Sequence, residues 1–103
     1  MAFQIRYSKE SVEQLRKLDA RDRSEIRDHI EKFLATHPTT TSKARIKRLR
    51  QPAPTEYRLR VRDFRVYYDI DQQTVYIVQI LSKEDSISYL LKLQESNDEH
   101  TND

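Results

Sequence analysis

The 103-residue chain contains no cysteine, no glycine and no tryptophan. Without cysteine it can form neither a disulfide nor a thiolate zinc site. Without glycine it lacks the loop that cradles phosphate in nucleotide-binding proteins, and no serine lies in a strained, glycine-flanked elbow. No run of about 18 apolar residues could cross a membrane, and residues 1–6 lack the apolar core of a signal peptide. These absences predict a soluble, cytoplasmic protein that needs no cofactor.

A metal site is equally unexpected. His29, His37 and His100 show no spacing typical of metal ligands. The acidic residues show no paired pattern that would indicate a carboxylate dyad. We therefore predict no metal centre.

A single small domain is the expected organisation. The chain has 25 Leu, Ile, Val and Phe residues, and six tyrosines add apolar area. This exceeds the share of about 20% below which highly charged chains stay unfolded, and the length suits one domain. Residues 95–103 hold four acids and no Lys or Arg. We expect one folded domain over residues 1–94 and an acidic, disordered tail over residues 95–103.

The formal net charge of +2 conceals a strong segregation of charge. The segment from Lys43 to Arg65 carries nine basic and two acidic side chains. Such a density repels itself unless a polyanion or an acidic partner neutralises it. The alternative is a solvated charged surface, but the basic residues alternate with strand-forming residues, which favours a binding face.

The first forty residues predict a strand followed by a helical hairpin. Residues 2–7 alternate apolar and polar side chains, as a half-buried strand does. Ser8 and Asp19 are candidate N-caps of two helices, and Pro38 ends the second helix. The apolar stripes of these two helices are Val12, Leu15 and Leu18, and then Ile26, Ile30, Phe33 and Leu34.

The second half of the chain predicts a sheet and a short closing helix. Alternation marks strands over residues 56–61 and 64–70, and residues 75–81 are nearly continuously apolar, as in a covered central strand. Short links make these strands antiparallel neighbours. Residues 43–49 suit an extended segment at the sheet edge, and residues 86–93 suit a helix. The expected fold class is α+β, with an N-terminal strand and helical hairpin packed on an antiparallel twisted sheet.

The link between the first two strands of this sheet is unusual because it contains no glycine. A two-residue turn of this kind favours positive φ angles. Asp63 tolerates such an angle better than most residues. We expect either some local strain or a turn slightly longer than two residues.

Period-two alternation places Arg58 and Arg60 on one face of a strand, and Arg65 joins them if it pairs near Arg60. The three guanidinium groups would then lie within about 5–8 Å of one another. Three permanent charges cannot form a core, so this face meets water, an acidic partner or phosphate. Because arginine donates two hydrogen bonds at once to phosphate, an RNA or DNA backbone is the expected ligand. Tyr67 and Tyr89 could stack on bases.

The segment from Glu56 to Ile70, EYRLRVRDFRVYYDI, resembles the central hairpin of the RelE/ParE superfamily of bacterial type II toxins. The order of elements agrees with that family over residues 2–93. The resemblance implies a RelE-like microbial ribonuclease fold and a cognate antitoxin as partner. We expect an apolar patch for that antitoxin on the first two helices or at the sheet edge.

The RelE branch of the superfamily cleaves messenger RNA in the ribosomal A site. The RNA 2′-hydroxyl attacks the adjacent phosphate, and the enzyme supplies basic side chains and a C-terminal tyrosine. Carried over by position, the resemblance implies a catalytic set of Arg58, Arg60, Arg65, Lys83 and Tyr89. The expected RNA contacts around it are Lys43, Arg45, Lys47, Arg48, Arg50, Arg62 and Tyr67. The expected partners are therefore the ribosome and its messenger RNA.

Two positions depart from the family pattern. Two family lysines are arginines here, at Arg58 and Arg60, and arginine is a poor base because its pKa lies above about 12. The base would then be Tyr89, or the ribosome would supply the geometry. The turn glycine of the family is Arg62.

Two other functions fit the sequence. One is the inhibition of DNA gyrase, as in the ParE branch, although that branch often lacks the basic and tyrosine set. The other is a non-catalytic basic module that binds only its antitoxin. The retained set favours the ribonuclease.

Overall fold

The structure is a computed structural model that describes residues 2–101, and it describes side chains over residues 2–92. The helices are α1 (Lys9–Arg16), α2 (Ala20–His29), which continues as a π-helical turn over Ile30–Leu34, and α3 (Lys83–Thr101). The strands are β1 (Gln4–Tyr7), β2 (Ile46–Arg48), β3 (Tyr57–Val61), β4 (Phe64–Asp71) and β5 (Thr74–Ser82).

The five strands form one mixed sheet in the order β1-β5-β4-β3-β2. Strands β2 to β5 are antiparallel neighbours, and β1 adds to β5 in parallel. The α+β class, the helical hairpin and the edge position of β2 are confirmed. The predicted N-terminal strand also joins the sheet, as β1 pairs with β5. Its parallel direction was not part of the prediction.

The two predicted helix caps are confirmed. The Ser8 side chain accepts a hydrogen bond from the Ser11 amide at 3.0 Å, and Asp19 accepts one from the Asp22 amide at 2.8 Å. Each cap satisfies an amide that the first helical turn leaves without a partner. The caps therefore fix where α1 and α2 begin.

One face of the sheet packs against α1, α2 and the π-helical turn and contains the core. Burying each aliphatic side chain of this core contributes about 1.5–3 kcal/mol to the stability of the fold. The core side chains from the helices are Leu15, Ile26, Ile30 and Leu34, and those from the sheet include Leu59, Val61, Val66, Tyr68, Val75, Ile77 and Ile80.

A β-bulge in β5 explains why that strand reads as nearly continuously apolar. Tyr67 pairs with Gln79 and Tyr68 with Ile77, so Val78 has no partner on β4. The extra residue shifts the alternation by one. As a result Ile77 and Ile80 both face the core, although a regular strand would point them to opposite faces.

Helix α1 covers the edge of β5 beyond the end of β1. The amide of Ile80 donates to Oε1 of Gln14 at 2.6 Å, and the carbonyl of Val78 accepts from Ser8 Oγ at 2.8 Å. Side chains thus satisfy backbone groups that a longer β1 would otherwise pair. The first helix therefore takes over the role of a neighbouring strand.

The β3–β4 turn is a two-residue turn, since Val61 pairs with Phe64. The expected local strain is present, as a positive φ of 50° at Arg62. This conformation costs a non-glycine residue about 1–2 kcal/mol. The Arg62 guanidinium binds Asp22 at 2.8 Å and Glu25 at 2.7 Å on α2, which ties the strained residue to the helical layer.

Helix α3 begins at Lys83, earlier in the chain than predicted. Ser82 ends β5 and its Oγ accepts from the Asp85 amide at 3.2 Å, so it acts as an N-cap. The negative charges of Glu84 and Asp85, in the first turn, interact favourably with the positive end of the helix dipole. The predicted acidic tail, residues 95–103, falls where the side chains lie outside the described residues, and it stays a prediction.

Candidate functional site

The face of the sheet opposite the core carries the arginine cluster, which we define as Arg58, Arg60 and Arg65. Arg60 and Arg65 are directly paired across β3 and β4, and Arg58 lies two residues from Arg60 on the same face of β3. Directly paired side chains have Cβ atoms about 4.5–5.5 Å apart. The structure therefore brings together the three arginines that period-two alternation predicted on one face.

Arg65 is the most enclosed member of the cluster, with 7% of its surface exposed. Burial lowers its pKa below the ordinary arginine value, and the positive charges of Arg58 and Arg60 lower the pKa further. Its Nη1 donates to the carbonyl oxygens of Arg62 and Phe64, both at 3.0 Å. Arg65 is thus held rigidly by neutral oxygens and repelled by like charges.

No member of the cluster forms an ion pair within the described part of the chain. The ion pairs found there join Arg16 to Glu13, and Arg62 to Asp22 and Glu25. Over the same residues, Nε of Arg58 is buried without a hydrogen-bond partner. A buried donor without a partner is unfavourable, so an anion at the cluster would satisfy both the charge and the donor.

Tyr89 of α3 lies beside this cluster. Its ring meets the ring of Tyr67 edge-on, with centroids 5.4 Å apart and an interplanar angle of 66°. Tyr67 in turn pairs with Arg58 across β3 and β4. Tyr89 therefore lies one side chain away from the arginine cluster.

The surroundings of Tyr89 keep its phenol protonated. Burial raises its pKa, and the nearby Tyr67, Glu10 and Asp69 raise the pKa further. A raised pKa makes the phenolate scarcer at neutral pH. Tyr89 thus suits hydrogen-bond donation or stacking better than the role of a base.

Lys83 is exposed at the start of α3. Its backbone amide donates to the Asp63 carbonyl at 2.8 Å, which places it against the β3–β4 turn. Asp63 is two residues before Arg65 in the chain. The structure therefore brings Lys83 to the end of the sheet where the cluster lies.

Our prediction that Tyr67 stacks on bases is wrong. Tyr67 is fully buried, and its hydroxyl is hydrogen-bonded to Ser86 Oγ of α3. The alternation of β4 correctly places Tyr67 away from the core, but α3 covers that part of the face. A strand pattern reveals one buried face and does not show whether a helix covers the other.

The basic segment before β3 divides between the two sides of the sheet. Lys47 pairs with Arg58 and so lies on the face of the cluster. The guanidinium of Arg45 lies 4.0 Å from the ring centroid of Phe33, and that of Arg48 lies 6.0 Å from the ring centroid of Tyr57. Both rings belong to the core side. Lys43 and Arg50 are exposed outside β2.

Arg62 does not join the cluster. Both of its partners, Asp22 and Glu25, are on α2 beneath the opposite face of the sheet. These carboxylates already balance its charge. Among the predicted RNA contacts, the structure thus places Lys47 with the cluster and holds Arg62 apart from it.

Sequence reasoning missed three polar residues around Tyr89. Ser86 lies three residues before Tyr89, a spacing that puts both on one helical face. Asp69 follows Tyr67 at period two on β4, which was a usable signal. Glu10 could not be found from local patterns, because it comes from α1, on a distant part of the chain.

Two apolar clefts have linings that contain no member of the arginine cluster. One, of about 260 Å³, lies between α1 and α2 and contains Val12, 44% exposed. It provides the apolar patch that we predicted on the first two helices, and its lining residues are Tyr7, Val12, Leu15, Arg16, Arg23 and Arg27. The other, of about 370 Å³, lies between α3 and the loop before β3, with Ile87 54% and Leu91 51% exposed.

Neither a metal cluster nor a membrane-spanning helix occurs in the described part of the chain. Over those residues, no group of three or more His, Cys, Asp or Glu side chains could hold a metal ion. None of the helices described there combines the length and apolarity needed to span a membrane.

The chain resembles several known proteins. Among solved structures it is similar to the RelBE2 toxin–antitoxin complex of Mycobacterium tuberculosis, with a TM-score of 0.65 and 21% identity over 80% of this chain and 99% of that one. It is also similar to the RelB–RelE antitoxin–toxin complex of Methanococcus jannaschii, with a TM-score of 0.62 and 20% identity over 81% of this chain and 95% of that one.

A third similar structure is the free state of a double mutant of the E. coli toxin RelE, with a TM-score of 0.55 and 17% identity over 89% of this chain and 97% of that one. At these identities the likeness establishes the fold alone. No curated protein sequence matches the chain.

The decisive finding comes from a family profile. The profile described as the ParE toxin of the type II toxin–antitoxin system parDE matches residues 5–87. This range contains most of β1, the helical hairpin, the whole arginine cluster and the start of α3. The chain therefore belongs to the ParE toxin family, within the RelE/ParE superfamily of type II toxin–antitoxin toxins.

Proposed function

We propose that the chain is a ribosome-dependent endoribonuclease that cleaves messenger RNA in the A site and so inhibits translation. The observation that carries this proposal is the arginine cluster, in which a buried Arg65 lies beside two other cations and forms no ion pair among the described residues. Folding brings these charges together at a cost in repulsion. A phosphodiester at the cluster would offset that cost.

The cluster suits a reaction in which negative charge grows on phosphate. The 2′-oxygen forms a bond to phosphorus, the bond from phosphorus to the 5′-oxygen breaks, and a cyclic phosphate remains. Arg65 and Arg58 would stabilise the charge on the phosphate oxygens in the transition state. Arg60, which is exposed, would hold the adjoining backbone.

Lys83 and Tyr89 have supporting roles in this proposal. Lys83 would stabilise the charge that develops on the 5′-oxygen. Tyr89, with its raised pKa, would donate a hydrogen bond or stack on a base. The proton of the 2′-hydroxyl would leave to a group that the ribosome places there, because no arginine accepts it readily.

An antitoxin is the proposed second partner, and the cytoplasm the proposed location. Two of the similar structures are complexes of a toxin with its antitoxin. The cleft between α1 and α2 is lined by apolar side chains and by Arg16, Arg23 and Arg27. An acidic antitoxin segment with one apolar side chain would fit this chemistry.

The test is to induce the chain in growing bacteria and to map the 5′ ends of messenger RNA. Cuts inside translated frames are expected with the unaltered chain. Arg65→Ala should lower the cleavage rate about 10²-fold or more, as the loss of a donor to a developing oxyanion does. Arg21→Ala, which removes an exposed arginine on α2, should leave cleavage unchanged.

Inhibition of DNA gyrase is the second candidate, and the match to the ParE family favours it. Trapped gyrase–DNA complexes and a loss of supercoiling, without cuts in messenger RNA, would support it. If neither effect occurs and growth continues, the chain is a non-catalytic module that binds its antitoxin.

A further inference from the structure

The hydroxyl groups of Tyr67 and Ser86 form a buried polar contact on the face of the sheet that carries the arginine cluster. Tyr67 is fully buried, and Ser86 is 5% exposed. Their oxygens are hydrogen-bonded to each other across the interface between β4 and α3. Neither residue belongs to the catalytic set, so the contact needs a different explanation.

The contact joins the arginine cluster to Tyr89 through a single side chain. Across β3 and β4, Tyr67 pairs with Arg58, and it follows Arg65 by two residues on the same face. The ring of Tyr67 also meets the ring of Tyr89. Tyr67 therefore neighbours Arg58 and Arg65 on the sheet and contacts Tyr89 on α3.

The other described contacts of this part of α3 are apolar and partly exposed. Ile87 and Leu91 are about half exposed and line the cleft against the loop before β3. The backbone bond from Lys83 to Asp63 and the Ser82 cap fix only the first turn. The hydrogen bond of Ser86 and the ring contact of Tyr89 join the next turn of α3 to Tyr67 on β4.

We propose that the Tyr67–Ser86 hydrogen bond is a positioning device that holds Tyr89 against the arginine cluster. Tyr67 and Ser86 are then positioning residues, since they act on the substrate only through Tyr89. This inference rests on the proposed ribonuclease function for its catalytic consequence. The geometric consequence is independent of any reaction.

The geometric arm of the test uses nuclear magnetic resonance on the isolated full chain. Ring protons of Tyr67 and Tyr89 should give a cross-relaxation signal in the unaltered chain. Ser86→Ala should weaken or abolish it, whereas Ser86→Thr, which keeps the hydroxyl, should retain it. Ser88→Ala, which removes an exposed hydroxyl on the same helix, is the matched control and should leave the signal intact.

The catalytic arm measures single-turnover cleavage of ribosome-bound messenger RNA. Ser86→Ala should slow cleavage by about 10-fold to 10²-fold, as small misplacements of a catalytic group do, with binding to the ribosome unchanged. Ser86→Thr should restore the rate. In a Tyr89→Ala background, Ser86→Ala should cause no further loss, whereas a purely structural role would lower the rate again.

The two arms separate failure of the inference from failure of the proposed function. A cross-relaxation signal that persists in both Ser86→Ala and Tyr67→Phe would overturn the positioning role. If the unaltered chain cuts no RNA while Ser86→Ala still abolishes the signal, the ribonuclease is overturned and the positioning role stands. If the variants unfold, as judged by circular dichroism, the bond is structural and the inference fails.

Discussion

At the scale of single residues, the site depends on side chains that period-two alternation can place. Arg58, Arg60 and Arg65 were predictable because opposite faces of a strand alternate regularly and a short turn fixes the register. Tyr67 was not, because its burial depends on a helix that follows only after the whole of the next strand. Burial and Tyr67 raise the pKa of Tyr89, and Glu10, which no local pattern connects to Tyr89, raises it further.

Buried phenols make the chain sensitive to alkali. Burial raises the pKa of Tyr68, and Tyr57 raises it further, while its hydroxyl donates to the Pro38 carbonyl at 2.6 Å. Because the folded pKa lies above the unfolded value of about 10, the stabilisation is complete below pH 10 and declines above it. The free energy of unfolding should fall by up to about 1.4 kcal/mol per pH unit for each such phenol.

Urea unfolding between pH 7 and pH 11 measures this effect. Tyr68→Phe should cost about 1 kcal/mol at pH 7, because a buried hydrogen bond is removed, and should make the decline above pH 10 shallower. Tyr76→Phe, which alters a more exposed tyrosine, should keep the slope of the unaltered chain. If the free energy of unfolding falls equally steeply with pH in Tyr68→Phe and in the unaltered chain, Tyr68 is not the source of the decline.

At the scale of elements, the strands, caps and helical hairpin were largely predictable. Alternating side chains, Ser8 and Asp19 are local signals, and the structure confirms them. The bulge at Val78 and the parallel pairing of β1 depend instead on long-range packing. Strain in the β3–β4 turn was expected from its lack of glycine, whereas the carboxylates of α2 that bind the strained Arg62 come from a distant part of the chain.

Helix α1 substitutes for a strand at the edge of β5, and Gln14 is central to this. Gln14→Ala should leave the Ile80 amide without a partner and cost about 1–3 kcal/mol in the free energy of unfolding. Hydrogen exchange at the Ile80 amide should speed up. Gln4→Ala, at an exposed position of β1, should change the stability by less than about 0.5 kcal/mol.

The role of Gln14 is supported only if denaturant unfolding and hydrogen exchange at the Ile80 amide both change in Gln14→Ala. Unchanged protection of Ile80 in Gln14→Ala would show that another group satisfies its amide. The edge of β5 would then be closed by the packing of α1 rather than by this side chain.

At the scale of the whole molecule, the chain has a small net charge, but one face of its sheet carries positive charges without acidic partners among the described residues. The net charge of +2 hides the arginine cluster on one side of the sheet. On the other side, α2 balances Arg62 with two carboxylates. Binding to RNA should therefore depend on local charge and on salt, although the total charge is small.

Salt titration of binding to single-stranded RNA tests this view. Each phosphate contact contributes about 0.7 to the slope of log affinity against log salt. Arg60→Gln should reduce that slope by about this amount, and fluorescence anisotropy can measure it. Arg21→Gln should give the slope of the unaltered chain, and an equal slope for Arg60→Gln would place RNA elsewhere.

The β3–β4 turn is bonded to three parts of the fold. The Asp63 carbonyl accepts a hydrogen bond from the first amide of α3, and the Arg62 carbonyl accepts one from the side chain of Arg65. The Arg62 guanidinium forms an ion pair with α2. No linker separates β5 from α3, so the first turn of the helix is fixed against this turn. A displacement of the start of α3 would therefore act through Asp63 and Arg62 on Arg65 and on the helical layer beneath the sheet.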